Sequence, residues 1–457
     1  MRSEVYYVNS AILKNAKGGV ISSFSVKEIS ATAADVVNAF SALPPERRAA
    51  ILDSSGVGYL GSHLLIAGVD PVKTFEVRTG GLEGLSELAG LLNTNFASIF
   101  TLSYEFGASL QPKPIRIPEA AKSKEPLAYV AQFDALIIHD YATGRTYIDG
   151  NEARFDELES LLATAAGPVG GIPTVCSVRS SFTKDEYVAA INRVKEHIRR
   201  GDTYQVNLTQ QFAIEFEDAI PAGEVFTRLR SQNPSAFAAF VQRGGTAVVS
   251  SSPERFFRIE GDQISVAPIK GTIKRSADRE EDAALREVLA ASAKDRAENT
   301  MIVDLLRNDL GRICEYGSVA VDQLCTIEEH ATLFHLVSTV SGRLRQDAGL
   351  SEVLLSLFPS GSITGAPKVR TMQLIGEIEP VARGLSMGSI GIAIGGKAFK
   401  SLGPFIDTNV AIRTITISGN RAVFNVGGGV VIDSDPDSEY RESLLKAKAL
   451  LQALGVK

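Results

Sequence analysis

Over residues 388–432 the chain keeps returning to one pattern, a short run of β-branched and apolar residues closed by turn formers. Strands are read at 388–394, 409–417, 421–426 and 430–432. Short, antiparallel-looking strands with helices added outside them argue for an α+β fold and against a parallel βαβ array. Earlier in the chain, residues 5–8 and 135–139 alternate as strands do, whereas 34–43 and 155–165 carry helical spacing.

Residues 167–173 (GPVGGIP) read as a linker. It divides an N-terminal region, 1–168, from a catalytic domain, 175–457. Beyond it, Thr183-Lys184-Asp185-Glu186 forms a capping box for a helix that runs to Arg200 and stops at Gly201. Strands are expected at 204–216 and 246–260, a charged helix at 278–293 and another at 294–310. Residues 359–372 read as a glycine-rich loop entering a helix, and 433–438 cap a last helix through 454.

Composition narrows the function classes. With 44% hydrophobic and 22% charged residues, the chain is an ordinary globular one. A net charge of −6 and no dense Lys/Arg run argue against a nucleic-acid-binding surface. The three cysteines, Cys176, Cys314 and Cys325, are scattered and lack C-x-x-C spacing, which fits a reducing compartment without a disulfide framework. No apolar run is long enough to span a membrane, and Met1 to Ser10 contains no signal-peptide core, so cytoplasm is expected.

Several residues stand out chemically. Lys270 follows an apolar run (Ile264, Val266, Ile269) and precedes Gly271 and Thr272. A lysine that loses hydration has a more nucleophilic amine, although a strand-end lysine is ordinarily solvated. Two acidic pairs share i, i+3 spacing near helix starts: Asp295 with Glu298, and Glu439 with Glu442. Each pair shares a helix face and is the sort of oxygen-donor set that Mg²⁺ uses. For one pair alone, complementing a helix N-terminus is the commoner role. Gly427-Gly428-Gly429, read between two strands, lets backbone N–H groups approach an anion. Arg413 on the preceding strand and Lys446 one turn beyond Glu442 bring positive charge for carboxylates. The spacing in 361–368 does not fit a nucleotide phosphate loop.

Taken in order, GDTYQVNLTQ, SSPERF, PIKGT, KDRAEN, MIVDLLRNDLGR, FHLVSTVSG, GSITGAPKVR, IRT and GGGVVIDSDPDSEY resemble the motifs of the chorismate-utilising enzymes. The resemblance covers nearly all of 183–450, while the first 170 residues match loosely through YEFG (104–107) and the stretch 61–71. It implies two packed antiparallel sheets in a sandwich-like core, helices outside, and substrate between the sheets. It also implies that Glu254 is a general acid, that Glu298 and Glu442 bind Mg²⁺, and that Asp295 and Glu439 hold metal-bound water. Gly271, Thr272, Thr364, Arg413, Gly427, Gly428, Gly429 and Lys446 are implied to bind chorismate, with His335 close to the chemistry.

Within the family, PIAGT is similar to the ortho-aminating enzyme of tryptophan synthesis, whereas lysine at the third position resembles the para-aminating members that supply 4-aminobenzoate for folate. The expected reaction is therefore para amination of chorismate through a covalent Lys270 intermediate, and the alternative is ortho amination. A chorismate-fold binding subunit without catalysis is a third reading, disfavoured by the retention of Glu254, Lys270, Glu298 and Glu442 together. Gln205 stands where water-adding relatives carry a lysine, so hydration is not expected. Two departures are noted: Ser386 replaces an aromatic residue, and NPSAF (233–237) replaces the tryptophan-sensing NPSPY. No cysteine has the glycine-flanked setting of a glutaminase nucleophile, so a separate glutaminase subunit is expected to supply ammonia.

Overall fold

The computed structural model describes residues 23–456 except 59–60, 119–124, 165–166, 168–169, 330–332 and 397. The strand expected at 5–8 and part of the segment 167–173 lie outside these residues.

Strand alternation builds two sheets. In Ala97–Leu102, Ile99 points to one side and Phe100 to the other; in Phe237–Gln242, Ala239 and Val241 oppose Ala238 and Phe240. Ala97, Ile99, Ala239, Val241, Tyr129, Phe133, Leu136, Ile390 and Ile392 meet in one apolar core between the sheets. Phe100 and Leu102 pack outward on Leu85, Leu88, Ile302 and Leu306, and Phe240 packs outward with Val36, Phe40, Phe226 and Leu450. The layers are therefore helices, sheet, sheet, helices, an α+β sandwich as expected.

Among the described residues, one sheet has twelve strands and the other ten. The first runs Phe24–Ile29, Arg145–Asn151, Ala135–Asp140, Leu64–Gly68, Ala50–Asp53, Phe237–Gln242, Ala247–Ser252, Thr414–Ser418, Arg421–Val430, Gln205–Phe216 and Gly365–Ala366, with Val175–Ser180 beside Gln205–Phe216. The second runs Ile269–Lys274, Leu333–Arg343, Gln263–Val266, Arg255–Glu260, Phe405–Val410, Ser389–Ile394, Ala97–Leu102, Ala128–Phe133 and Lys73–Val77, with Ala320–Glu329 beside Leu333–Arg343. In each sheet the strands from before the 167–173 segment form one block that joins the strands from after it at a single junction, Ala50–Asp53 on Phe237–Gln242 in the first and Ala97–Leu102 on Ser389–Ile394 in the second. No helix among the described residues is long and apolar enough to cross a membrane.

Four expected strands are drawn differently. The run 246–260 is two strands, Ala247–Ser252 in the first sheet and Arg255–Glu260 in the second, and the chain crosses between sheets at Pro253-Glu254. Proline, which has no N–H for a ladder, suits that break. The run 409–417 is likewise split into Phe405–Val410 and Thr414–Ser418, with Arg413 at φ 49° in the crossing instead of on a strand. Conversely, 421–432 holds a single strand, Arg421–Val430, that runs straight through Gly427-Gly428-Gly429. These glycines pair with Thr209, Leu208 and Asn207, and a Cβ at Gly427 would run into the Leu208 carbonyl.

The capping box at Thr183 and Glu186 is present, opening the helix Lys184–Arg199, and Gly201 follows at φ 78°. Asp278 caps Arg279–Ala291, Ser292 caps Ala293–Gly311, and Asp435 caps Pro436–Ala453. The last two helices carry the acidic pairs.

Candidate active site

Both crossings between the sheets deliver a functional side chain. Glu254 leaves Pro253 and Arg413 leaves Ile412, and the crossings are tied together: the Val410 N–H donates to the Glu254 carbonyl at 3.0 Å and the Ser251 N–H to the Arg413 carbonyl at 3.0 Å. Glu254 is only 6% exposed. Burial pushes its carboxyl up to about 7, against a hydrogen bond with Ser362 and the charges of Lys270 and Arg413. A carboxyl that holds its proton near neutrality is suited to donate it.

Lys270 comes from the other side, on Ile269–Lys274. Register slips there from Lys270 opposite Leu336 to Thr272 opposite His335, which leaves Gly271 as the extra residue of a bulge at φ 74°. A Cβ on Gly271 would lie 2.8 Å from the Leu289 side chain and 2.9 Å from that of Asp295, so glycine lets the bulge press on the acidic helix. Lys270 keeps partial solvent access yet is ringed by protein. Loss of hydration lowers its pKa, opposed by Glu298 and Glu254 and then, after Lys446 lowers it further, by Glu442. Its amine makes a long contact, 3.5 Å, with the carbonyl of Ser362.

The acidic pairs converge on this side. Glu298 Oε1 is buried without a hydrogen-bond partner, and burial raises the Glu298 pKa despite Lys270 and Lys294. For Glu442, burial is outweighed by Lys446, bonded at 2.8 Å, and by Lys294 and Lys270, so its pKa falls. Glu439 is 6% exposed, accepts from Ser434 Oγ at 2.7 Å and lies 3.7 Å from the Lys294 ammonium. Asp295 is bonded to Ser292 Oγ at 2.5 Å. A Cβ on Gly428 would sit 3.2 Å from Glu439 Oε2 and 3.8 Å from Glu442 Oε1, so the middle glycine faces these carboxylates. Among the described residues no three acidic, His or Cys groups close a metal cage by themselves. Two carboxylates with water and substrate oxygens fit the habits of Mg²⁺, and the buried, unpartnered Glu298 oxygen is compatible with such a donor set.

The other expected residues are placed as follows. Lys446 donates to the Gly427 carbonyl at 3.0 Å as well as to Glu442. Thr272 Oγ1 and His335 Nδ1 are 2.8 Å apart, two residues along the strand from Lys270, and His335 is buried. The Thr364 hydroxyl is engaged within its own loop, donating to the Ser360 carbonyl at 3.0 Å, while its carbonyl accepts from Asn207 N–H at 2.8 Å. Gln205 is fully buried beneath Gly429, and neither amide atom has a hydrogen-bond partner. Ser386 is buried, donating to the Thr414 carbonyl at 3.3 Å and accepting from Asn425 N–H at 3.1 Å.

Sequence reasoning did not single out Ser362, Arg383 or Lys368. Arg383, 1% exposed in its side chain, pairs with Glu379 at 2.7 Å and donates to the carbonyls of Ile363 at 2.9 Å and Asn207 at 2.6 Å. Lys368 bonds Asp309 at 2.7 Å and the Ser356 and Leu357 carbonyls at 3.0 Å. Together they pin the 360–367 loop to the acidic helix and the Gln205–Phe216 strand. The clue available beforehand was the hydroxyl-rich run Ser360–Thr364 beside two glycines. A separate cavity of about 90 Å³, lined by Asp53, Ser54, Gly61, His63, Arg258 and Asp407, contains none of the expected catalytic residues.

Residues 66–452 match the model of the chorismate binding enzyme family. The chain is 38% identical over 355 residues to aminodeoxychorismate synthase component 1 of Klebsiella aerogenes, covering 77% of this chain and 75% of that one. It is 39% identical over 354 residues to aminodeoxychorismate synthase of Streptomyces griseus, covering 73% of this chain but spanning about half, 47%, of that relative. The solved structure of anthranilate synthase component I from Streptococcus pneumoniae has the same fold, with a TM-score of 0.74 at 24% identity over 86% of this chain and 93% of that one.

Proposed function

The chain belongs to the chorismate binding enzyme family, and we propose that it aminates chorismate para to the ring carboxylate carbon, giving 4-amino-4-deoxychorismate. The observation that carries this reading is a lysine and a glutamate close enough to feel each other's charge, each moved by burial toward its neutral form. The neutral Lys270 amine attacks ring carbon C2, the ring electrons shift, and the C4–O bond breaks. Glu254 gives its proton to the departing hydroxyl, which leaves as water. The attacking amine releases one proton, which restores Glu254. Ammonia then adds at C4, the lysine departs with its electron pair, and it ends as a neutral amine once the added nitrogen has lost a proton. Two successive displacements direct nitrogen to C4.

Glu298 and Glu442 would hold Mg²⁺, with Asp295 and Glu439 orienting its water. When bound, the ion supplies charge that fixes a substrate carboxylate. Arg413 and the Gly427–Gly429 run would take the other carboxylate.

Ammonia is proposed to come from a separate glutaminase. Among the cysteines, Cys314 and Cys325 are buried, burial raises the Cys314 thiol to about 11, and Cys176 lies exposed on the strand Val175–Ser180. None has the activated, flanked setting of a nucleophile. Isolated chain should use ammonium, better at higher pH, and not glutamine; vigorous glutamine-dependent turnover would refute this.

The deciding experiment is Lys270→Ala with ammonium as donor. Most para product should be lost, with residual product shifted toward ortho amination because C2 is left open. Wild type with chorismate and no ammonia should yield a covalent adduct on the Lys270 peptide by mass spectrometry. Unchanged para product in the variant would end the reading.

A further inference from the structure

We propose that Lys294 is the resident counter-cation of the acidic site, tying Glu439 to the facing helix in the metal-free protein and giving way when Mg²⁺ enters. The inference rests on the reading of Glu298 and Glu442 as the ligands of the ion. Lys294 and Glu298 lie on the helix Ala293–Gly311, Glu439 and Glu442 on Pro436–Ala453. The Lys294 ammonium crosses from the first helix to the second and stands 3.7 Å from Glu439 Oε1. The side chain of Glu439 is 6% exposed and that of Lys294 58%, so a buried carboxylate is met by a cation reaching in from solvent.

Local rules alone do not favour a lysine there. Lys294 is the second residue of its helix, after the Ser292 cap, where the helix dipole disfavours positive charge. It also precedes Glu298 by four residues, the weaker order for a helical ion pair. The facing carboxylates supply the compensation: burial lowers the Lys294 pKa, yet Glu439, Glu298, Glu442 and Asp295 together hold it above the ordinary value. Lys446, on the same cluster, is held twice, by Glu442 at 2.8 Å and by the Gly427 carbonyl at 3.0 Å. Among the described residues, Glu439 is the one ion-pair partner of Lys294, and a mostly solvated side chain leaves such a pair easily. Glu439 Oε1 already accepts from Ser434 Oγ at 2.7 Å and faces the ammonium besides. A water held by the ion would donate where the ammonium stands, and the charge of the ion would repel that ammonium. The exchange keeps Glu439 compensated with and without the ion.

The test is Lys294→Met, which keeps the stem and drops the charge, with Lys294→Arg as the variant that keeps the charge. In calorimetric titration with MgCl₂ and no chorismate, Lys294→Met should bind Mg²⁺ about 3- to 10-fold more tightly than wild type, because no ion pair has to be displaced, and Lys294→Arg should bind it about as wild type does. At one sub-saturating Mg²⁺ concentration, the ion should raise the melting temperature further in Lys294→Met than in wild type. At saturating Mg²⁺, KM for chorismate should stay as in wild type. Mg²⁺ affinity that is unchanged or weaker in Lys294→Met, or raised equally in Lys294→Arg, overturns the role of Lys294. A raised KM for chorismate with unmoved Mg²⁺ affinity overturns it too, and makes Lys294 a ligand of a substrate carboxylate. Glu298→Gln decides the metal reading separately, and a wild type that takes up no Mg²⁺ overturns both.

Discussion

At the scale of single residues, the site opposes two shifts: burial makes Lys270 a weaker base and Glu254 a weaker acid, so each is moved toward the neutral form. This has a cost in the free protein. Glu254 titrates near 7 in the fold against an ordinary value of 4.5, so ionising it opposes folding. That cost is absent below pH 4.5, grows between 4.5 and 7, and is full above 7. Glu254→Gln should therefore unfold at higher denaturant than wild type at pH 8, by up to about 3 kcal/mol, and lose that advantage at pH 4. A gap that does not change between these pH values would mean that Glu254 stays ionised. Burial shifts Glu298 the same way, but its Oε1 is buried without a hydrogen-bond partner, the setting a proposed cation would relieve. Glu298→Gln should weaken Mg²⁺ binding, measured by calorimetry, at least about tenfold without lowering the melting temperature. Equal Mg²⁺ affinity would remove Glu298 from the ligand set.

At the scale of elements, the reading from sequence was most accurate where signals are local. The capping box at Thr183, the helix-opening acidic pairs and the stop at Gly201 all depend on neighbours within a turn, and each is present. It failed where a strand changes sheets. Nothing local says that 246–260 passes from one sheet to the other, because β-branched and apolar residues continue on both sides; only the full stack of strands reveals the break. The two breaks missed in this way carry Glu254 and Arg413. The glycine run was misread in reverse. Three glycines resemble a turn, yet they lie inside Arg421–Val430, where Leu208 and Gln205 leave no room for a side chain at Gly427 and Gly429. The positions should separate on mutation. Gly427→Ala drives a Cβ into the Leu208 carbonyl and should cost at least roughly 3 kcal/mol. Gly428→Ala meets its nearest atom, Glu439 Oε2, at 3.2 Å, so the fold should survive while Mg²⁺ binding falls. Thermal melts and calorimetry on the two variants check the contrast, and equal destabilisation would contradict it.

At the scale of the whole molecule, the active-site sheet ends are supported by strands far away in sequence. Ala50–Asp53 pairs with Phe237–Gln242 over four residue pairs, and Ala97–Leu102 pairs with Ser389–Ile394 over six. Ala97, Ile99, Tyr129, Phe133, Leu136 and Ile138 belong to the same inter-sheet core as Ala239, Val248, Ile390 and Ile392. Glu105 in the YEFG run accepts from the Arg383 and Gly384 N–H groups at 2.9 and 3.2 Å, which joins the first region to the residue that clamps Ile363. Cutting at the glycine-rich segment would therefore expose two long strand edges and one face of a shared apolar core. A polypeptide of residues 175–457 expressed alone should show no cooperative unfolding transition and should aggregate. Mixing it with a 23–164 polypeptide should restore folding if the two find each other before aggregation. A monomeric 175–457 fragment that melts cooperatively and binds chorismate would show that the second half closes its own core. The pairing of Ala50–Asp53 and Ala97–Leu102 with it would then be packing added to a finished domain.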